Sequence, residues 1–155
     1  MTNSILTAIY SGLANMSLSY TDRNGATATA ATYYGSTTPN AIDTASMPAR
    51  ILLPPSGNMD VLHGAGVNST WTINDLFLID TAARDMGMPS FAPVMASYCA
   101  SYGDAIGKMW QVLSGNSTLT LSMNVSINTG KYEYPSGSGV YFYGCLAVVT
   151  IEEIY

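Results

Sequence analysis

The chain has 155 residues, enough for one domain that buries about two-thirds of its unfolded surface without a metal or disulfide staple. Charged residues make up 10% of it and hydrophobic ones 48%, while 17 Ser and 16 Thr supply the polar surface, a composition that excludes disorder, collagen and coiled coil and favours an assembly subunit. The net charge of -5 leaves no cationic footprint for tight nucleic-acid binding, and no apolar run approaches the roughly 18 residues that span a bilayer.

Ile5, Leu6, Ile9, Leu13 and Met16 recur at three- and four-residue spacing, which predicts a short amphipathic helix with Thr2 or Ser4 as its cap. No basic residue precedes this stretch, so a secretory signal is not expected, and the four N-x-S/T sequons at Asn15, Asn68, Asn116 and Asn124 carry no weight without one. Leu18 to Thr21 reads as a strand, and Asp22-Arg23-Asn24-Gly25 as a hairpin turn, because Asn-Gly tolerates positive φ. A weak Ala/Thr strand follows. Residues 35–47, rich in Gly, Ser, Thr and Pro, read as a long loop or arm able to reach a neighbour. Ala49 to Leu53 is a brief apolar strand stopped by Pro54 and Pro55, and a second loop is expected at about 55–69. From 70 to 80 apolar residues fall first on one face and then on both, as in a central strand.

The clearest helical periodicity runs from Phe91 to Leu113, with Ser90 as cap, Pro93 in the first turn and Gly115 at the end. Its opposite face is made of small residues, and Gly103 and Gly107 suggest a close contact there too. Leu119, Leu121, Met123, Val125 and Ile127 alternate with Thr120, Ser122, Asn124 and Ser126, a half-buried strand. Its outer face is uncharged, so at a sheet edge it should be covered or paired, including by a neighbouring chain. Residues 131–139 bridge to a final strand from Val140 to Ile154, and the two form a long antiparallel pair. The predicted class is α+β: one domain, 1–155, with two helices packed on a mostly antiparallel sheet.

Catalytic and metal-binding patterns are sparse. His63, the only histidine, falls in a glycine-rich stretch with no second imidazole for a metal site. Asp75, Asp80 and Asp85 are spaced by five, so the first two point to opposite faces of a continuous strand and form no acid–base dyad. Asp80 suits tethering the following turn, and Asp75 suits pairing with Arg84 or with a neighbouring subunit. Gly64-Ala65-Gly66 and Gly137-Ser138-Gly139 lack the strand–loop–helix context and Lys-Ser/Thr of a phosphate cradle. A disulfide between Cys99 and Cys145 is open, with two buried free thiols the simpler reading. The cluster Tyr132, Tyr134, Tyr141, Phe142 and Tyr143 fits an interface as well as plain packing, since tyrosine joins a large rigid face to a polar tip. No cofactor or metal is expected, and the chain is read as a non-enzyme.

MPARILLPP at 47–55, TWTINDLFLID at 70–80, the helix containing YCASYGDAIGKMW, the strands around GKYEYPSGSGVYFYG and the terminal VVTIEEIY together resemble the tail terminator proteins of long-tailed bacteriophages, also called tail completion or neck proteins. The resemblance covers roughly residues 47–155. It implies a virion structural protein, assembled in the host cytoplasm, whose hexameric ring caps the tail tube in the neck, ends tube polymerisation and docks the head connector. Its partners would be further copies of itself, the tail tube protein and a head connector or head completion protein, with DNA passing through the lumen. An acidic chain suits such a bore, because anionic walls repel phosphate, and Asp60 and Glu133 are the candidate lumen-facing carboxylates. Trp71, Asp75, Arg84, Tyr132, Tyr134, Tyr141 and Tyr143 are the candidate interface residues. The alternatives are a carbohydrate-binding or adhesive module and a head-completion or connector subunit.

Overall fold

The computed structural model describes residues 5–62, 64, 66–82, 88–115 and 120–154. His63, Arg84 and Asp85 lie outside the described residues, as does Leu119 at the predicted start of its strand. The elements are α1 (Leu6–Ala14), β1 (Ser19–Thr21), β2 (Thr27–Thr29), β3 (Ala31–Tyr34), β4 (Ala49–Leu52), β5 (Ser56–Leu62), β6 (Gly66–Thr81), α2 (Ala92–Gly115), β7 (Thr120–Glu133) and β8 (Tyr141–Ile154). The class is α+β, as predicted, with two helices packed against a mostly antiparallel sheet.

The main sheet runs β3-β4-β6-β8-β7, with β5 also pairing to β6. β6 is its central strand, and β7 and β8 pair without interruption from Thr120↔Ile154 to Glu133↔Tyr141. Among the described residues the one parallel pair is β3 with β4, which the order of chain elements did not suggest. β4 and β5 both pair antiparallel to β6, at Ala49↔Leu78 and Ser56↔Thr72, so they form one ribbon broken at Pro54 and Pro55. The second predicted loop is therefore corrected: most of 55–69 is the β5–β6 hairpin. Its residues lack a clean apolar alternation because the outer strand is exposed, and backbone pairing rather than burial makes it a strand.

One face of the sheet carries α1, α2 and the β1–β2 hairpin. Ile9, Leu13, Ile73, Phe77, Val94, Tyr98, Cys145, Val149 and Ile151 are buried there in a single cluster. The Phe77 and Tyr98 rings stack with centroids 3.9 Å apart, and Tyr20 meets Phe77 edge-on at 5.1 Å. The hairpin turn forms as read: Gly25 takes φ 81°, and Asp22 Oδ1 accepts from the Asn24 and Ala26 N–H groups. The Thr21 N–H then donates to Ser97 Oγ on α2 at 2.8 Å, tying the hairpin to the helix.

Thr2 and Ser4, the caps read for α1, lie outside the described residues. Ile5 holds the N-cap position of α1 without a side-chain cap, and its N–H donates instead to Oε1 of the buried Glu153 at 2.9 Å. α2 begins at Ala92, so Ser90 closes a single 3₁₀ turn, Met88–Ser90, before it. Cys99 and Cys145 are free thiols facing each other across the core at 4.0 Å.

The opposite face of the sheet is divided. At the β7–β8 turn, Ile51, Leu76, Leu78, Tyr134 and Phe142 form a second buried cluster, against which Ile42 and Met47 pack. The 35–47 segment is thus the predicted loop, with short 3₁₀ turns at Gly35–Thr37 and Thr44–Ser46, but it folds back onto its own sheet. Toward the other end, Ser122, Asn124, Ser126 and Asn128 of β7 are exposed and Thr70, Thr72 and Thr150 partly so, with no helix over them among the described residues.

Candidate assembly surface

Asp75 sits at the centre of the helix-covered face, not at an interface. It is 1% exposed and receives the Arg50 guanidinium, with Nε to Oδ1 at 2.9 Å and Nη2 to Oδ2. Tyr102 Oη also donates to Oδ2 at 2.9 Å, and Arg50 Nη2 reaches the Leu13 carbonyl at 2.8 Å. One carboxylate thereby joins β4, β6, α2 and the end of α1. The predicted pairing of Asp75 with Arg84 or a neighbouring subunit is corrected accordingly. Arg50 was missed, although a lone guanidinium inside the apolar run Ala49 to Leu53 signals a buried partner. Burial and the adjacent carboxylate push the Tyr102 hydroxyl well above its ordinary range, so it remains a donor.

Asp80 does tether the following turn, its Oδ1 accepting from the Thr81 N–H at 2.7 Å. The expectation that it opposes Asp75 across the strand is corrected by a bulge. Registers shift between Leu78 and Asp80, so Ile79 is an extra residue and Asp80, aligned with Tyr143, returns to the Asp75 side.

The tyrosine cluster separates by strand parity. Tyr143 is buried beside Phe91, ring centroids 5.1 Å apart, with the Lys131 ammonium 5.4 Å above its ring. Tyr134 is buried in the second cluster, its hydroxyl donating to the Pro39 carbonyl, and Tyr132 is half-buried with its hydroxyl on the Asn128 carbonyl at 2.6 Å. Only Tyr141 among the four is exposed, at 49%. Tyr134 and Tyr143 are therefore corrected from interface residues to packing residues: a tyrosine body is apolar enough to be buried when its hydroxyl reaches a carbonyl or the rim. Trp71 is partly buried, its ring lying over Gly57, where a Cβ would fall 2.8 Å from the indole.

Tyr141 and Val140, the latter 46% exposed, border an open groove of about 680 Å³ that Thr81, Ala82, Lys131 and Gly139 complete. The loop beside it is held by its own polar groups. Glu133 Oε1 accepts from the Gly139 N–H at 2.6 Å, Tyr134 N–H donates to the Val140 carbonyl at 3.0 Å, and Gly137 and Gly139 take positive φ. Glu133 is thus a brace for the turn. Asp60 and Glu133 also lie at opposite ends of the sheet, about 13 strand positions apart or roughly 44 Å.

Asp60 is exposed on β5, in a transverse row with Asn68 and Ile154. The neighbouring rows on the same face are Asn58–Thr70–Glu152–Ser122 and Ser56–Thr72–Thr150–Asn124. Among the described residues, this open half of the face carries Asp60 and Glu152 as its carboxylates and no Lys or Arg. Glu152, which accepts from Ser122 Oγ at 3.4 Å, was missed. Alternation along the final strand places it opposite the apolar set and was the available signal. No group of three or more metal-ligating side chains occurs among the described residues, and no helix there is long and apolar enough to cross a membrane.

No protein-family model and no curated protein matches this chain.

Proposed function

We propose that this chain is a virion structural subunit that forms a ring on the tail tube of a long-tailed bacteriophage, ends tube growth and docks the head connector. The identity of the assembly rests on the resemblance over residues 47–155. The observation that carries the structural part is the half-face of the sheet that no described helix covers, built mainly from Ser, Thr and Asn with Ile154, Asp60 and Glu152 and, among the described residues, no cation. Such a wall suits the bore of a ring: it is hydrated, it holds no phosphate, and its two carboxylates repel passing DNA. The resemblance implies six-fold closure, which contacts between different faces of each copy would supply. The groove at Val140 and Tyr141 is the contact for a stacked ring of the tube or the connector, with an aromatic anchor on a braced turn.

Immunogold labelling of intact virions with antibody to this chain tests the assignment. Label at the head–tail junction is expected, and label on the capsid shell, the fibre tips or no part of the particle overturns it. The groove has its own test. Tyr141→Ala is expected to leave thermal stability within about 0.5 kcal/mol of the parent, because the side chain is exposed. The same variant should bind purified tail tubes at least about ten-fold more weakly in co-sedimentation, about 1.4 kcal/mol. Unchanged binding removes Tyr141 from the contact. Saturable binding of a glycan by a monomer, lost in this variant, would instead favour the adhesive module.

A further inference from the structure

Among the described residues, the sheet ends in unpaired backbone at both sides. β7 is the last strand of the order, 14 residues long, free of proline and of register shifts, and without a charged residue before Lys131. On the other side β3 covers β4, but among the described residues β5 pairs only with β6, which leaves its outer edge open over seven residues. That strand exposes Met59 at 53% and Val61 at 83%. Natural sheets protect long open edges with charge, proline or bulges, and β7 carries none of these devices over its first eleven residues.

We infer that the β7 edge of one copy pairs with the β5 edge of the next, so that a single antiparallel sheet runs from subunit to subunit. The inference rests on the reading of this chain as a self-assembling subunit. Strand polarity supports it. β5 is antiparallel to β6, β6 to β8 and β8 to β7, so β5 and β7 run in opposite senses. Copies related by rotation about an axis along the strands therefore meet with β7 antiparallel to the incoming β5, and the alternation continues without a break. Side-chain parity supports it as well. Registers that align the faces set Gly57, Met59 and Val61 beside the row containing Met123, Val125 and Ile127, which packs on the helix-side core. They also set Asn58 and Asp60 beside Ser122, Asn124 and Ser126, where Asp60 meets no carboxylate. Pairing of β7 with a second β7 would leave Met59 and Val61 exposed, whereas the head-to-tail contact covers both of the long open edges.

Charge reversal tests the contact. Asn124→Asp/Ser126→Asp places carboxylates on exposed positions of β7, so circular dichroism and melting should match the parent. Sedimentation velocity over a concentration series should show self-association weakened at least ten-fold, by repulsion from Asp60 of the incoming copy. Adding Asp60→Lys to that variant should restore assembly. Weakening without restoration indicates β7–β7 pairing and overturns the inference, as does a parent chain that stays monomeric at its solubility limit or a β7 variant that assembles normally. A chain that assembles in this way yet labels another part of the virion keeps the contact and loses the assignment to the tail end. Label at the junction with assembly insensitive to these variants does the reverse.

Discussion

Replacing Asp75 with Asn is expected to destabilise the fold by about 3–5 kcal/mol, the range for removing one partner of a buried ion pair. The guanidinium of Arg50 would remain 1% exposed with no opposing charge. An amide offers one carbonyl where the carboxylate accepts from Arg50 Nε, Arg50 Nη2 and Tyr102 Oη. The loss is not confined to one element, because the same guanidinium holds the Leu13 carbonyl near the end of α1. α1 should therefore loosen first, visible as faster amide exchange in residues 9–14. Replacing both partners, Arg50→Met with Asp75→Leu, should recover most of the loss, since no buried charge is then stranded. The Tyr102 hydroxyl would still lack its acceptor, and the Leu13 carbonyl would keep only the Met16 N–H at 3.3 Å, so recovery stays short of complete. Denaturant unfolding measures all three chains. An Asp75→Asn variant within about 1 kcal/mol of the parent would mean that water reaches the pair and that it does not hold the helix layer to the sheet.

What the sequence showed and what it hid follow from the range of the forces involved. α2, β7 and β8 were legible because burial on one side writes a period of 3.6 or 2 directly into the residues, as in Met123, Val125 and Ile127. β5 was not, because SGNMDVL is exposed and held by backbone pairing, which leaves no hydrophobic pattern. The Asp75–Arg50 pair spans 25 residues, and no local spacing announces a partner that only the pairing of β4 with β6 brings near. The bulge at Ile79 reversed the face of Asp80, which counting by two cannot detect. Tyrosines were the poorest guide at the candidate surface. Tyr134, Tyr141 and Tyr143 lie within ten residues around the turn from β7 into β8, yet burial takes two of them, and the sequence treats all three alike.

The bulge also sets the second large effect. Gly144→Ala should lower stability by about 3 kcal/mol or more, because an added Cβ at this position would lie 1.9 Å from the Phe77 carbonyl oxygen and 3.0 Å from its carbon. Both atoms belong to the backbone of the central strand, so no rotamer change can clear the space. Relief requires β6 and β8 to separate just where their register shifts, between Leu78↔Gly144 and Asp80↔Tyr143. The strain would pass to both sides of the sheet, since Phe77 and Cys145 lie in the helix-side core while Leu78 and Phe142 lie in the second cluster. Gly103→Ala supplies the contrast. Contrary to the close contact expected from the sequence, a Cβ at Gly103 or Gly107 would meet nothing within 4 Å. A glycine inside a helix is less favourable than alanine by about 1 kcal/mol, so Gly103→Ala should be the more stable chain. Paired melting curves with the two substitutions moving in opposite directions would establish that Gly144 is held by close strand approach. A Gly144→Ala chain as stable as the parent would show that β6 and β8 do not meet in the register described.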